Sequence, residues 1–556
     1  MRDGVELVSD VYRPAGDGPH PVLLTRTPYD RTFPTNAFHA IDLLAMALAG
    51  YACIVQDVRG RFESEGDFET YTHDADDGFD TIEWLVAQPW CDGRVGMFGT
   101  SYMAQTQMLA ASRRPPGLTA LAPFQSPGGS TGNDRYRGGA LQLGLLASWG
   151  VGAIAIAEVL RRAKADPSLW LEFAAAVDDS DNLDEHMRRL PLLPWPPIDE
   201  RAGGLGPQFD QTARFEFYPP VPRFAASEIE VPALLFAGWH DCFLQADLDL
   251  FTALKAGAAS DEARRLTRLV VGPWSHGMSA GAVGEQAFGM RASSLLLDMK
   301  ENITRLHKRW FDARLLGKDT GIDAEPTVKV FVMGENRWRG FDAWPPPSTT
   351  EEWFPLADGS LSRDAVTGAA EPSVFRLEPD DPVPTRGGGL LMGAQYIRGP
   401  VDQLRNEQRD DVLVFTSEAL DAPLTVIGRV GFTAFVAAET VDTDVVVKLC
   451  DIHPDGRSLN VVDGILRLGR RNGAAAPELL TPGEVYEVEV DMWSTAHVFL
   501  PGHRLRLLVC ASDFPRYDRN TGSGVLTADA TEILPQVNRL YHDADHPSRL
   551  RLPVVS

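Results

Sequence analysis

Cysteine is scarce in this chain and makes no pattern. Cys53, Cys91, Cys242, Cys450 and Cys510 are five in 556 residues, odd in number and without a C-x-x-C spacing. That excludes a disulfide framework and a cysteine-based zinc site, and it fits free thiols buried in a reducing compartment. Basic charge is also short, with 52 Lys and Arg against 77 Asp and Glu and a net charge of -25. No basic stripe is left to track a phosphate backbone, so nucleic acid is excluded as a partner, and the acidic excess serves solubility. The longest apolar run near the N-terminus, "AIDLLAMALAGYACIV", is interrupted by Asp42 and Gly50. It falls short of the roughly 18 residues of a membrane span, and no transmembrane helix is expected. The opening "MRDGVELVSDVYRP" has no apolar signal-like core, which makes a cytoplasmic location the expectation.

What is present is an alternation. "PVLLTRTPY" and "YACIVQDVRG" read as buried strands, and "DDGFDTIEWLVAQ" reads as an amphipathic helix with Phe79, Ile82, Leu85 and Val86 on one face. "RVGMFG" is the next strand and "SYMAQTQMLAASRR" the next helix. Such alternation predicts a parallel sheet covered on both faces. Between residues 123 and 222 helical segments take over, including "AIAIAEVLRRAKA" and "SLWLEFAAAV", as in an inserted cap. Strands resume at "VPALLFAGWHD" and "RLTRLVVGPWSH", followed by the helix-like "LLDMKENITRLHKRWFDARLL". Beyond "WPPPS" the pattern is all β. In "VYEVEVDM", Tyr486, Val488, Val490 and Met492 alternate with acids, which predicts a half-buried strand of a sandwich or jelly roll. The expected division is α/β in 1–122 and 223–347, a helical cap in 123–222, and a jelly roll in 348–556. No internal repeat is found at solenoid periods.

"RVGMFGTSYMA" places Ser101 between a strand and a helix, where a nucleophile elbow belongs, with Gly99 at the tight point of the turn. A serine needs a base, and the base needs an orienting group. Alone, the turn is a weak signal. Asp241 in "FAGWHDCF" and His276 in "VVGPWSHG" follow strand-like runs, and the order Ser, Asp, His is that of α/β-hydrolase sheets. His240 ranks behind His276, because on an extended segment it faces away from Asp241. His73 heads an acidic helix start and reads as a local capping contact. The remaining histidines weighed lie in polar, surface-like or β contexts and read as structural or solvated.

With these residues in place the sequence resembles the bacterial cocaine esterase and α-amino acid ester hydrolase family, relatives of X-prolyl dipeptidyl peptidases. "TPYDR", "QDVRGRFESEG", "WCDGRVGMFGTSY", "AGWHDCF", "GPWSH", "VFVMGENRWR", "DTDVVVKLCDIHPDGRS", "FLPGHRLRL" and "FPRYDRNTG" carry the resemblance over nearly the whole chain. The family motif G-x-S-Y-x-G makes Met103 ordinary and leaves Ala104, in place of the last glycine, as a departure. The resemblance implies an α/β-hydrolase domain with a helical cap and a C-terminal jelly roll. It also implies Ser101 as nucleophile, His276 as general base and acid, Asp241 as its orienter, and an oxyanion hole of the Tyr102 N–H and the Tyr29 hydroxyl. Phe243 matches an acyl-pocket aromatic; Trp149 and the run Leu390, Leu391, Met392 are expected to approach the same pocket. The expected activity is hydrolysis of small esters with an apolar or aromatic acyl group, without metal or cofactor. Neither a nucleic-acid nor a membrane partner is expected, and a homo-oligomer is left open. An α-amino ester hydrolase, β-lactam acylase or X-prolyl dipeptidyl peptidase would need pocket carboxylates to pair with a free amine. The run Asp178, Asp179, Asp181 and Asp184 reads instead as a solvated face. A non-catalytic sugar-binding protein is the remote alternative, on the principle that fold does not dictate function.

Overall fold

A computed structural model describes residues 1–16, 18–33, 41–127 and 134–555. Strands β1 (Ser9–Tyr12), β2 (His20–Thr27), β3 (Ala52–Asp57), β4 (Cys91–Thr100), β5 (Leu118–Phe124), β6 (Leu234–His240), β7 (Arg268–Ser275), β8 (Val328–Val332) and β9 (Arg337–Phe341) make one nine-stranded sheet. Its order is β1-β3-β2-β4-β5-β6-β7-β8-β9. All neighbours pair in parallel except the edge strands β1 and β9, which are antiparallel to β3 and β8. The parallel strands are apolar because both of their faces are covered. Val22 and Leu24 of β2 pack in the same core as helices α1 (Asp74–Val86) and α2 (Tyr102–Ser112), whereas Leu23 between them points into the opposite core.

Between β5 and β6 the chain leaves the sheet. A continuous helical stretch α3 (Leu143–Ala165) and helix α4 (Trp170–Asp181) belong to this insertion. By length and composition α3 is apolar enough to cross a membrane, its most apolar 18-residue window having a mean hydropathy of 1.9, which the reading of the N-terminal run alone did not consider. The reason is that both of its faces face protein or a cavity. Val151, Ile154, Ala155 and Val159 are buried, the first three in the insertion's own core, while Gly152, Ala153, Ile156, Ala157 and Leu160 line a large cavity at the site. Part of α3, Ser148–Ala155, is wound as a π-helix.

After β6, helix α5 (Leu244–Gly257) packs its Leu248, Phe251 and Leu254 onto the α1 side of the sheet, and helix α6 (Ile303–Leu316) covers the other side with Trp310 and Phe311. The helix expected over "LLDMKENITRLHKRWFDARLL" begins only at Ile303. Asn302 caps it, its side chain accepting from the Arg305 N–H, and Asp298 and Met299 hold positive φ values of 50° and 60° that no helix continues through.

From Thr349 on, all long elements are strands, grouped into a seven-stranded and a four-stranded sheet. β10 (Leu424–Ala438) belongs to the larger sheet, and β11 (Asp444–Ile452) and β12 (Ser458–Arg467) to the smaller. β13 (Tyr486–Phe499) pairs with β10, and β14 (Arg504–Cys510) with β11. Val426 and Phe432 of one sheet and Val445, Val447 and Leu449 of the other share a core, as in a sandwich. In β13, Val488, Val490 and Met492 are buried and Glu487 and Glu489 exposed, but Tyr486 is only half-buried.

Candidate active site

The turn at Ser101 is strained. β4 ends at Thr100 and α2 begins at Tyr102, so Ser101 alone absorbs the reversal with φ +63° and ψ -124°. Such a conformation persists only where its surroundings hold it. The Ser101 N–H donates to the Phe124 carbonyl at 2.8 Å, tying the turn to the end of β5. Gly99, at φ +138°, permits the close approach, since a Cβ there would lie 2.6 Å from Met103 Cβ and 2.8 Å from Thr25 Oγ1. Ala104 is fully buried and its N–H donates to the Ser101 carbonyl at 2.8 Å, so the extra methyl is accommodated.

Three parallel strands bring the partners together. Asp241 follows β6 and His276 follows β7, both at the C-terminal edge on which Ser101 stands. His276 Nε2 lies 2.9 Å from Ser101 Oγ, and its Nδ1 lies 2.8 Å from Asp241 Oδ2. Oδ1 of Asp241 is occupied by the Phe243 N–H at 2.7 Å. Asp241 and His276 are both buried, at 1% and 5% exposure, which strengthens their interaction by excluding water.

Two supports were not anticipated from sequence. Gln125, just past β5, clamps the turn around His276. Its Nε2 donates to the Ser275 carbonyl at 3.0 Å and its Oε1 accepts from the Gly277 N–H at 2.8 Å. Arg398, from the β portion, donates to the His276 carbonyl at 2.9 Å. Beside it in sequence, Gly389 packs against the Asp241 turn so closely that a Cβ would sit 2.6 Å from the Asp241 carbonyl oxygen. A chemical motif could not have revealed either, because both act through backbone.

The oxyanion-hole candidates flank Ser101. The Tyr29 hydroxyl accepts the Trp149 indole N–H at 2.9 Å and has a side-chain hydrogen bond with Ser101. Burial pushes this phenol up to about 12, so it keeps its proton. The Tyr102 side chain is committed elsewhere, its hydroxyl donating to Asp74 at 2.7 Å while its ring stacks on Tyr71 at 4.4 Å. What it offers the site is its N–H in the first turn of α2, where helical N–H groups lack intrahelical partners.

Two cavities meet at Ser101, and Tyr29, Trp149 and Leu391 line both. The smaller, about 60 Å³, is closed by Leu145, Leu146, Phe209 and Phe243, and Phe243 meets the His276 ring edge-on at 5.2 Å. The larger, about 860 Å³, includes His276 and the outer face of α3. Met392, expected in the pocket, lines neither; it packs on Gly144, where a Cβ would lie 2.5 Å from Met392 Cε. Leu390 is buried and likewise lines neither. Trp149 does reach the pocket, and also bonds Tyr29.

The other sequence candidates are resolved by their contacts. His240 is buried and stacks on Phe288 at 6.0 Å, and burial, with the nearby His497, pushes its imidazole down to about 3. His73 sits at the N-terminus of α1 but its side chain makes no capping bond; its carbonyl accepts from Asp77 instead. Asp178, Asp179, Asp181 and Asp184 line neither cavity, and Asp179 is bound by Arg201 and His186. Among the described residues two groups have donors close enough to share a metal: Asp241 with Cys242 and His276, and Asp451 with His453 and His503. In the first, Asp241 and His276 bond each other. In the second the Asp451 oxygens accept from His503 at 2.8 Å and His497 at 3.0 Å.

A strained serine, a buried His–Asp pair within hydrogen-bond reach and a doubly covered parallel sheet define an α/β-hydrolase-type serine hydrolase carrying a β-sandwich. Residues 3–278 match the X-Pro dipeptidyl-peptidase (S15 family) model and residues 320–551 the X-Pro dipeptidyl-peptidase C-terminal non-catalytic domain. The whole chain aligns with 97% of the cocaine esterase of Rhodococcus sp. (strain MB1 Bresler) at 37% identity. The chain therefore belongs to the cocaine esterase branch of the X-Pro dipeptidyl-peptidase family, and it is a serine ester hydrolase. Among solved structures it is similar to an α-amino acid ester hydrolase, with a TM-score of 0.73 and 25% identity over 100% of this chain and 95% of the other. An aminopeptidase from a marine sediment Thaumarchaeota archaeon shares the fold, with a TM-score of 0.76 at 24% identity and the same coverage of both chains.

Proposed function

We propose that Ser101 attacks the ester carbonyl while His276 removes its proton, Asp241 holding the imidazole in the tautomer that accepts at Nε2. The Tyr29 hydroxyl and the Tyr102 N–H stabilise the oxyanion, His276 returns the proton to the leaving alcohol, and water attacks the acyl-enzyme by the same route. Trp149 serves as a positioning residue: by donating to the Tyr29 oxygen it leaves the phenolic proton to face the reacting centre. The chemistry uses no group beyond these.

The acyl group enters the smaller cavity. Its lining of Leu145, Leu146, Phe209, Phe243 and Leu391 suits an apolar group. At about 60 Å³ it is well below the roughly 150 Å³ of a cavity that binds benzene. A short aliphatic acyl chain fits as the side chains stand; an aromatic one needs Leu391 or Phe243 to turn. The observation that carries the reading is the unbroken contact from Asp241 through His276 to Ser101. Labelling with a fluorophosphonate, together with turnover of p-nitrophenyl acetate, butyrate and benzoate, tests it. Stoichiometric labelling lost in Ser101→Ala, and butyrate ahead of benzoate, are expected. Labelling that survives Ser101→Ala sinks the assignment.

One observation favours a second reading, an acyl group with a free α-amine. Asp134 lines the smaller cavity, and while its Oδ2 accepts from Arg223 at 2.8 Å, its Oδ1 is buried with no hydrogen-bond partner among the described residues. An ammonium group could satisfy that oxygen. Phenyl esters of glycine and of acetic acid separate the readings. Preference for the amino ester, lost in Asp134→Asn, selects the second.

A further inference from the structure

His276 lines only the larger of the two cavities. A general acid must reach the oxygen it protonates. On the reading above, the alcohol therefore leaves through the larger space, and what lines that space selects the alcohol. Its wall along α3 is a helical stripe, Gly152, Ala153, Ile156, Ala157 and Leu160, which ends in Arg161 and Lys164. An apolar body is welcome there.

The charges in this cavity differ from those of the molecule. The chain as a whole carries -25, which disfavours anions. Within the cavity, Arg31 is spent on Asp10, Asp57 and Glu63, so Glu63 is spent with it. Arg161 pairs with Glu158. Asp30 accepts from the N–H and hydroxyl of Thr32 in its own turn. Lys164 is exposed and has no ion pair among the described residues; Arg398 differs from it in being held in place. Its guanidinium is fixed by two neutral carbonyls, those of His276 at 2.9 Å and Met392 at 3.3 Å, and among the described residues no carboxylate pairs with it. A guanidinium has five N–H donors, so three remain after these two bonds, next to the catalytic histidine.

We infer that the larger cavity is a leaving-alcohol subsite selective for an alcohol bearing a carboxylate, with Arg398 as the residue that pairs with it. The site is preorganised, since both carbonyl contacts hold the cation in place before substrate arrives, and a planar guanidinium matches a carboxylate's two oxygens.

The test compares butyrate esters of three phenols: 4-hydroxybenzoate, 4-hydroxybenzamide and 4-(trimethylammonio)phenol. kcat/KM is read for each with the wild-type enzyme and with Arg398→Lys and Arg398→Glu. The wild type is expected to favour the carboxylate over the ammonium ester by about tenfold or more, a preference that falls in about 1 M salt, where the screening length is ~3 Å. The ammonium ester is chemically the more activated, so that order cannot arise from leaving-group reactivity. Arg398→Lys should keep the order and Arg398→Glu should reverse it. Each ratio is taken within one preparation, so a variant that folds poorly lowers all three rates and leaves the ratio readable. Wild-type rates in the order of chemical activation, or an order that Arg398→Glu leaves in place, overturn the inference. Failure of the wild type to cleave even the carboxamide ester, with no fluorophosphonate labelling, would instead count against the esterase mechanism.

Discussion

The turn that carries Ser101 and the turns that carry Asp241 and His276 are held in different ways. Ser101 is secured by its own sheet, through Gly99 against Thr25 and Met103 and through the Phe124 carbonyl. Asp241 and His276 lean on residues far along the chain. Gly389 presses on the Asp241 carbonyl, and Arg398 holds that of His276. Both come from within residues 320–551, the stretch matching a domain described as non-catalytic. The comparison teaches that the β portion, which supplies none of the proposed reacting atoms, supplies part of the alignment of Asp241 and His276. Its own seam is built for stiffness: Asp463 is buried between Arg137, from the insertion, and Arg516, at 2.7 and 2.9 Å.

The largest expected effect comes from removing chemistry while leaving both kinds of support. Asp241→Asn keeps the shape but loses the acceptor that fixes the His276 tautomer, and a loss of about 10⁴-fold in kcat is expected. Melting temperature, measured alongside, should barely move. Next is Tyr29→Phe, which removes one oxyanion donor and should cost about 2.7–4 kcal/mol of transition-state stabilisation, read as a 10²–10³-fold drop in kcat with KM little changed. A drop confined to KM would take Tyr29 out of the oxyanion hole.

Gly389→Ala breaks the support from the other half alone. A methyl 2.6 Å from the Asp241 carbonyl forces one of the two backbones to shift. A displacement near 1 Å costs up to about 10²-fold in rate, so kcat should fall between wild type and Asp241→Asn. If kcat were unchanged, the Asp241 turn would be self-supporting like that of Ser101 and the contrast between them would disappear.

The same contrast decides what could be seen in the sequence. The elbow, the strand-end positions of Asp241 and His276, and the doubly covered sheet were legible because each is a local pattern: a Gly-x-Ser turn, apolar runs of strand length, helical periodicity. Gln125 and Arg398 were not, since they act on the backbone of residues 150 and 122 positions away and carry no motif. Met392 was misplaced for a related reason. A run of apolar residues near a pocket does not say which of them turns inward; Leu391 does and Met392 fills the gap at Gly144. Helix α3 hid its double role because periodicity separates apolar from polar faces, and both of its faces are apolar.

The smallest effect separates His307 from the Asp451 cluster by their response to acid. His307 of α6 stacks on Phe236 at 4.7 Å, and burial pushes its imidazole down to about 4, although its bond to the Ile303 carbonyl works the other way. A base whose folded pKa lies below its unfolded value stabilises fully above the unfolded value, near 6.5, and loses that contribution as pH falls toward 4. Between pH 7 and 5 the loss should be about 2 kcal/mol from this group. In the β portion Asp451 behaves oppositely: burial raises its pKa, but the bonds from His497 and His503 outweigh it and hold the carboxyl below its usual range. Its stabilisation therefore persists down to the ordinary carboxylate range and is lost only below that. The packing around His307 should thus feel acidification before the Asp451 cluster does. Thermal melts followed by calorimetry from pH 7 to 4 would show the loss in the wild type, and His307→Gln, which replaces the titrating ring by a neutral amide, should make it shallower by that group's share, buried His240 keeping its own. An equal slope in His307→Gln would mean that the acid sensitivity lies elsewhere in the molecule.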